Sequence, residues 1–239
     1  MTRYYEHEHV EGYARIRRDG LDQWNDLHPA DSGHGYERFA ARPFLERVLR
    51  LPLDGMTVFE YGCGTGGAAC WLAARGALVT AMDLVPDAIA VARERAAQRG
   101  LDVAFTVGDV CAGDAPDVSV DLVLDCFCLQ SVVMDEDRSA LFRAVRERLA
   151  PSGRYLVATA MAGPDRTYGA DIRDEETGIV WSPSDAPSDV ERRIDGVRHV
   201  PTRRHLTAFA LRRELGVHGF EVVEQSGALG GELVCRRRR

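Results

Sequence analysis

The sequence contains no lysine, because all 30 of its basic Lys and Arg positions are arginine. This absence excludes three lysine-dependent chemistries: phosphate binding by a Walker-type lysine, Schiff-base formation and a Tyr-x-x-x-Lys proton-transfer pair. The 37 acidic residues give a formal net charge of −7, which argues against a dedicated nucleic-acid-binding protein. We therefore expect no nucleic acid among its partners.

Long apolar runs are also missing. Residues 122–129 form one of the longest, but Asp125 interrupts them and they are far too short to span a bilayer. Residues 1–12 are polar throughout and lack the pattern of a secretory leader. We therefore expect reduced cysteines in a cytoplasmic protein with no membrane partner, present as a monomer or a homodimer. Because 45% of the residues are hydrophobic, the chain can form a core that needs no disulfide or metal ion for its stability.

Short apolar runs alternate with amphipathic or alanine-rich segments, which predicts strands alternating with helices. The predicted strands are residues 57–61, 78–82, 103–107, 120–126 and 154–159, and the predicted helices are 66–75, 86–99 and 136–149. A helix at 204–215 and strands at 221–225 and 232–235 follow. A short glycine-rich loop joins the last two strands, so they should pair antiparallel. The pattern predicts an α/β fold with a doubly wound, seven-stranded sheet whose last strand is antiparallel.

Two segments lie outside this alternation. Residues 1–50 contain predicted helices at 9–18 and 36–49, and we interpret them as a helical N-terminal cap on a main domain of residues 51–239. Residues 162–202 are rich in Gly, Pro, Asp and Ser and are too long for an ordinary connection, so they form a predicted insertion after strand five. A hairpin is expected there around Asp195-Gly196.

The most informative motif is Glu60-Tyr-Gly-Cys-Gly-Thr-Gly-Gly67, between the first strand and the first helix of the sheet. Its glycines match the G-x-G-x-x-G pattern, in which a tight turn lets a ligand approach the backbone. Glu60 precedes the glycines, where a carboxylate would face an ammonium group rather than a pyrophosphate. Asp83 ends the second strand, where a carboxylate can accept hydrogen bonds from ribose hydroxyls. Gly108-Asp109-Val110 ends the third and is suited to an adenine ring.

In this order, and with the turn at residues 149–155, these motifs resemble those of class I S-adenosylmethionine (SAM)-dependent methyltransferases of the small-molecule type, over roughly residues 57–235. The resemblance implies a Rossmann-like sheet and SAM as the cofactor. It also implies a role for individual residues: Glu60 with the backbone of Gly62, Cys63, Gly64 and Gly66 for the methionine part, Asp83 for the ribose, Leu84 and Val110 for the faces of the adenine, and Asp109 for its amine. Trp24 is either a further cofactor contact or a core residue.

The acceptor side of such a site would lie at the end of the fourth strand, where Asp125 begins the segment 125–130. Asp125 is therefore a catalytic and cofactor-binding candidate, although its carboxylate could instead cap the following turn. The general-base candidates are His28, Tyr168, His199 and His205. Cys126 and Cys128 are interpreted as small apolar filling, and His7 and His9 as part of a polar, flexible terminus. No cluster of ligands around Asp125 and Asp165 indicates a metal.

The predicted reaction is methyl transfer from SAM to a small-molecule acceptor, such as a secondary metabolite, by in-line displacement with a nitrogen, oxygen or sulfur nucleophile. The acceptor pocket should be walled by residues 1–50 and 162–202, with Asp125, Phe127, Gln130 and Tyr168 reaching into it. Two alternatives remain open: an NAD-dependent oxidoreductase that uses the same glycine pattern, and a non-catalytic SAM-binding regulatory module.

Overall fold

The structure is a computed structural model that describes residues 2–27 and 39–238. Its strands are β1 (Thr57–Tyr61), β2 (Leu78–Asp83), β3 (Val103–Val107), β4 (Val120–Cys126), β5 (Leu149–Ala158), β6 (Ile172–Arg173), β7 (Ile179–Pro183), β8 (Arg192–Ile194), β9 (Val197–Arg204), β10 (Phe220–Ser226) and β11 (Glu232–Arg237). Its α-helices are α1 (Glu6–Asp19), α2 (Arg42–Val48), α3 (Gly67–Ala73), α4 (Pro86–Gln98), α5 (Asp135–Arg148) and α6 (Ala208–Val217).

Seven strands form one twisted sheet in the order β10-β11-β5-β4-β1-β2-β3. The strand β11 is antiparallel to both β10 and β5, whereas β1 to β5 pair in parallel. The predicted fold is therefore confirmed. The chain order reverses between β1 and β4, which is the point where doubly wound sheets bind ligands beyond the carboxyl ends of their strands.

Alternation along the strands divides the core into two layers. On one face, Val58, Leu122 and Leu124 pack with α2, α3 and α4. On the other face, Phe59 and Tyr61 pack with α5 and α6. Because both faces are covered, the central strands are buried almost throughout, as parallel strands require.

The insertion forms more structure than the sequence predicts. The expected hairpin is confirmed: β8 and β9 pair antiparallel across Asp195 and Gly196, whose φ angles are 49° and 80°. It belongs to a four-stranded sheet in the order β6-β7-β9-β8. The extra strands β6 and β7 are short, and β7 pairs with the distant strand β9, so local periodicity does not reveal them.

The N-terminal segment packs across the carboxyl edge of the large sheet. The helix α1 begins at Glu6, earlier than expected, and its Ile16 packs against Val85 and Ala88 at the start of α4. The second predicted cap helix is observed as α2, and residues 36–38 of that prediction lie outside the described residues. Within the described ranges, no helix combines the length and apolarity needed to cross a bilayer.

Candidate functional site

The glycine loop after β1 is closely approached by side chains from two other parts of the chain. Gly62 and Gly64 have φ angles of 60° and 54°, in the left-handed region that favours glycine. A Cβ atom on Gly62 would overlap Cys128 Sγ and lie 2.5 Å from Cys128 Cβ, and one on Gly64 would lie 2.5 Å from Tyr13 Oη. Both positions therefore require glycine for the backbone angle and for the close approach.

Two adjoining cavities lie beyond the carboxyl ends of β1, β2 and β4. The larger has a volume of about 240 Å³ and the smaller about 70 Å³. They share the wall residues His9, Gly62, Asp83, Cys128 and Ser131, so they adjoin, and we refer to them together as the cleft.

The cleft unites most of the predicted cofactor residues. The larger cavity is lined by Glu60, Gly62, Cys63, Gly64, Asp83 and Trp24, and the smaller by Asp83, Leu84, Asp109 and Val110. Gly66, the residue before α3, packs closely against α4, because a Cβ there would lie 3.0 Å from Ala92 Cβ. The residues predicted for the methionine part of SAM thus line the larger cavity, and those predicted for the adenine line the smaller one.

Glu60 is a buried carboxylate with unused hydrogen-bonding capacity. Its side chain is 1% exposed, and its Oε2 has no hydrogen-bond partner among the described residues. Burial raises the pKa of Glu60 well above its usual value, and the nearby Asp125 raises it further. A cationic group in the cleft would supply the missing partner and stabilise the charged form. The ammonium group of SAM meets this requirement.

Asp83 is held in place by the backbone on both sides. Its Oδ2 accepts a hydrogen bond from the Gly64 NH at 2.8 Å, and its Oδ1 accepts one from the Val85 NH at 2.9 Å. Burial raises the pKa of Asp83, while these two amides and His9 act in the opposite direction. Each carboxylate oxygen still has a lone pair for a hydroxyl donor.

Asp109, the predicted adenine contact, is already engaged at both oxygens. Its Oδ1 accepts a hydrogen bond from the Cys111 NH at 2.8 Å, and its Oδ2 accepts one from the Tyr5 hydroxyl at 2.6 Å. Tyr5 therefore covers the smaller cavity, and Asp109 can accept a hydrogen bond from a ligand there only through a remaining lone pair.

One face of α1 follows the cleft from end to end. Tyr5, His9 and Tyr13 are spaced by four residues, which places them on the same side of a helix. Tyr5 meets Asp109 after β3, His9 lines both cavities beside Asp83 after β2, and Tyr13 lies over Gly64 after β1. The assignment of His9 to a flexible terminus was wrong. The spacing of the three rings was the sequence signal that could have found this wall.

Trp24 is part of the same wall. It lies in a 3₁₀ helix (Trp24–Leu27), and its ring packs 5.0 Å from the His9 ring and 5.3 Å from the Tyr13 ring, measured between centroids. It therefore contacts the cleft and also supports the two α1 side chains.

Asp125 does not line either cavity. It lies on the α5 side of β4, fully buried, and its Oδ1 accepts hydrogen bonds from the Cys128 NH at 3.1 Å and the Leu129 NH at 2.9 Å. The carboxylate thus caps the following turn, as the alternative interpretation held. Burial raises the pKa of Asp125 to about 7.

The segment after Asp125 does reach the larger cavity, through Cys126, Phe127, Cys128 and Gln130. Phe127 has a φ angle of 63°, a conformation that non-glycine residues adopt mainly where the surroundings impose it. Gln130 Oε1 accepts a hydrogen bond from the Ala160 NH at 2.7 Å, which fixes its amide at the wall. Burial raises the pKa of both thiols, so Cys126 and Cys128 stay protonated.

The other predicted bases are not brought to the cleft. His205 Nδ1 lies 3.3 Å from Tyr168 Oη, and burial lowers the pKa of His205 to about 4. His199 is buried in β9, where its Nδ1 lies 3.0 Å from the Val197 carbonyl oxygen, and Asp165 is on the surface. None of these four residues is in the described wall of either cavity. His28 lies outside the described residues.

The expectation that residues 162–202 form a wall of the acceptor pocket was also wrong. Among the described residues that line the cleft, the only one from the chain after β5 is Arg203. Arg203 lies one residue beyond the predicted bounds of the insertion, 162–202. Arg203 donates two 2.7 Å hydrogen bonds to Glu8 on α1. Trp181 of β7 also packs in a cluster with Tyr4 and Tyr5. The insertion therefore braces α1, and α1 forms the wall.

No group of three or more His, Cys, Asp or Glu side chains suited to a metal ion occurs in residues 2–27 and 39–238. All six cysteines are free thiols.

Comparison with known proteins adds independent information. Residues 58–153 match the sequence model of the methyltransferase domain family. A ubiquinone biosynthesis O-methyltransferase of Xanthomonas euvesicatoria pv. vesicatoria is 34% identical over 117 residues, which are 48% of this chain and 47% of that protein. One from Methylocella silvestris is 29% identical over 187 residues, 72% of each chain. The chain thus spans about half of the first relative.

A solved structure has the same fold. The glycopeptide N-methyltransferase MtfA complexed with SAM aligns with a TM-score of 0.59 and 25% identity, over 87% of this chain and 96% of that one. Together with the antiparallel last strand and the cleft geometry, these matches confirm the resemblance found in the sequence. Residues 58–153 therefore match a methyltransferase domain, and the chain has the fold of a SAM-dependent methyltransferase.

Proposed function

We propose that this chain transfers the methyl group of SAM to a small-molecule acceptor through a nitrogen, oxygen or sulfur nucleophile. The observation that carries the proposal is the cleft of two adjoining cavities, which is lined by the buried Glu60 with its unpartnered Oε2, the glycine loop at Gly62 and Gly64, and the carboxylate of Asp83. When bound, SAM supplies a methyl group activated by the positive charge of its sulfonium.

Different residues of the cleft would bind different parts of SAM. Glu60 would pair with the ammonium group, and Asp83 would accept hydrogen bonds from the ribose. Leu84 and Val110 would flank the adenine, with Asp109 and Tyr5 at its edge. Charge-assisted hydrogen bonds of this kind contribute on the order of 1.5–3 kcal/mol each, so Glu60 and Asp83 should dominate the affinity.

The acceptor would enter the larger cavity between Trp24, Phe127 and Gln130. Three features support a small and uncharged acceptor: the cavity is only about 240 Å³, aromatic rings form part of its wall, and the charge of Arg203 is already balanced by Glu8. The protein would contribute mainly proximity and alignment, worth up to roughly 7–11 kcal/mol in well-oriented systems.

The proposal also covers the nucleophile, the location, the domains and the oligomeric state. The solved neighbour is an N-methyltransferase and the two sequence relatives are O-methyltransferases, so both nucleophiles fit the family. The six free thiols support a reducing, cytoplasmic location. We also propose that nucleic acid is not a substrate, that residues 1–50 and 51–239 are the cap and main domain, and that the protein acts as a monomer or homodimer.

The test is methyl transfer from deuteromethyl-SAM to a fractionated cell extract, followed by mass spectrometry. We expect the label in the small-molecule fraction, and we expect it to disappear when Asp83→Ala replaces the wild type. Label found only on macromolecules would refute the small acceptor. Binding of S-adenosylhomocysteine without any labelled product, across extracts and candidate acceptors, would instead favour the non-catalytic SAM-binding module.

A further inference from the structure

The imidazole of His9 has a defined tautomer. Its Nδ1 lies 2.5 Å from the carbonyl oxygen of Tyr5, one helical turn earlier in α1. A carbonyl oxygen can only accept a hydrogen bond, so Nδ1 must carry the proton. In the neutral ring, Nε2 is then left with a lone pair and acts as an acceptor.

The surroundings keep this ring neutral near pH 7. Burial lowers the pKa of His9, and the positive charge of Arg203 on β9 lowers it further. Glu8 and Asp83 act in the opposite direction but do not reverse the shift. The Trp24 ring packs against the imidazole at a tilt of 31°, and the Tyr13 ring packs against Trp24.

The position of His9 is as specific as its protonation. Together with Asp83, it belongs to the wall that the two cavities share, between the residues for methionine and those for adenine. Asp83 approaches this junction from β2, and His9 approaches it from α1. Each Asp83 oxygen already accepts one backbone hydrogen bond. A ribose carries two hydroxyl donors, and a second acceptor from α1 would complement the carboxylate.

We propose that His9 is a second ribose ligand, whose Nε2 accepts a hydrogen bond from one ribose hydroxyl of the cofactor while Asp83 accepts from the other. The proposal rests on the proposed function, because it requires the cleft to bind an adenosyl group. It makes His9 a binding residue, and it explains why α1 carries a neutral imidazole in the wall of an acidic cleft.

The first experiment measures the affinity for S-adenosylhomocysteine and for its 2′,3′-dideoxy analogue by calorimetry. The amide oxygen of Gln reaches the position of imidazole Nε2, whereas that of Asn reaches the position of Nδ1. We expect His9→Asn to weaken S-adenosylhomocysteine binding roughly three- to tenfold, as for loss of one neutral hydrogen bond. His9→Gln should retain most of the affinity. His9→Asn should bind the dideoxy analogue as the wild type does.

The matched control is His7→Ala, on the same helix but outside the described walls of both cavities, which should leave both affinities unchanged. If His9→Asn weakens both ligands equally, or neither, the ribose assignment is overturned. If the wild type fails to bind S-adenosylhomocysteine at all, the proposed function fails before this one is reached.

The second experiment needs no variant. Two-dimensional ¹⁵N–¹H spectra of the imidazoles in the wild type distinguish the two neutral tautomers. We expect His9 to be neutral and protonated at Nδ1 at pH 7, with the Nε2 resonance shifting when S-adenosylhomocysteine is added. A proton on Nε2, a charged ring, or an Nε2 resonance that does not shift when S-adenosylhomocysteine is added would each overturn the proposal.

Discussion

Replacing Gly62 with alanine should cost the protein stability for two separable reasons. The φ angle of 60° is left-handed, which costs an alanine about 1–2 kcal/mol. The new Cβ would also overlap Cys128 Sγ and lie 2.5 Å from Cys128 Cβ, so the segment after β4 must move. Overpacking of this kind adds about 1–3 kcal/mol. We therefore expect Gly62→Ala to lower the free energy of unfolding by about 2–5 kcal/mol.

The structure provides a control for each part. Gly55 has a φ angle of 75°, and a Cβ there would meet no described atom within 4 Å, so Gly55→Ala measures the backbone strain alone. Cys128→Gly removes the obstructing side chain, and its nearest remaining atom would be Cα at 3.8 Å. The double variant should therefore recover the overpacking part of the loss.

Urea unfolding of the wild type, the Gly62→Ala and Cys128→Gly single variants and the double variant completes a double-mutant cycle. We expect a favourable coupling energy of about 1–3 kcal/mol between the two positions. If the two changes are additive within about 0.5 kcal/mol, Cys128 does not lie over the glycine loop, and the geometry of the larger cavity is wrong.

Three further predictions concern the carboxylates and the question of a metal. Asp83→Ala should weaken SAM binding, and SAM affinity equal to that of the wild type would refute the ribose role. The same change leaves the amides of Gly64 and Val85 without an acceptor, so it should also lower the free energy of unfolding by about 1–3 kcal/mol for each amide. Burial raises the pKa of Asp125 to about 7, above its unfolded value, so its contribution to stability is lost as pH rises from about 4 to 7. Asp125→Asn should remove this loss, by up to roughly 4 kcal/mol in urea unfolding at pH 8, and an unchanged pH dependence would count against it. Turnover should survive EDTA, and a loss restored by magnesium would contradict this.

The sequence predicted the sheet because its strands are short apolar runs separated by glycine and proline. It also predicted that Glu60, Asp83 and Asp109 lie beside one cleft, because each is at or just beyond the carboxyl end of a parallel strand and these ends lie at one edge of the sheet. Such information is local and needs no knowledge of long-range contacts.

The acceptor side depended on information that is not local. Asp125 could have been assigned by period-two alternation, since Leu124 packs on the α3 side of β4 and Asp125 therefore lies on the other. The place of α1 across the cleft depends on packing against α4 and on the contact between Glu8 and Arg203 of β9, which are 195 residues apart in sequence. The pairing of Tyr168 with His205 likewise depends on the insertion sheet, in which β7 pairs with the distant strand β9 and β6 pairs with β7.

The proposed methyl transfer requires that the cleft between β1, β2, β3 and α1 binds SAM. Calorimetric titration of the folded, wild-type protein with SAM and with S-adenosylhomocysteine tests it directly, with Glu60→Gln as the comparison. We predict saturable binding of one molecule per chain for both ligands, and weaker binding to Glu60→Gln because the ammonium group loses its charged partner. The absence of binding heat with either ligand at several temperatures, in protein shown to be folded, would contradict the account.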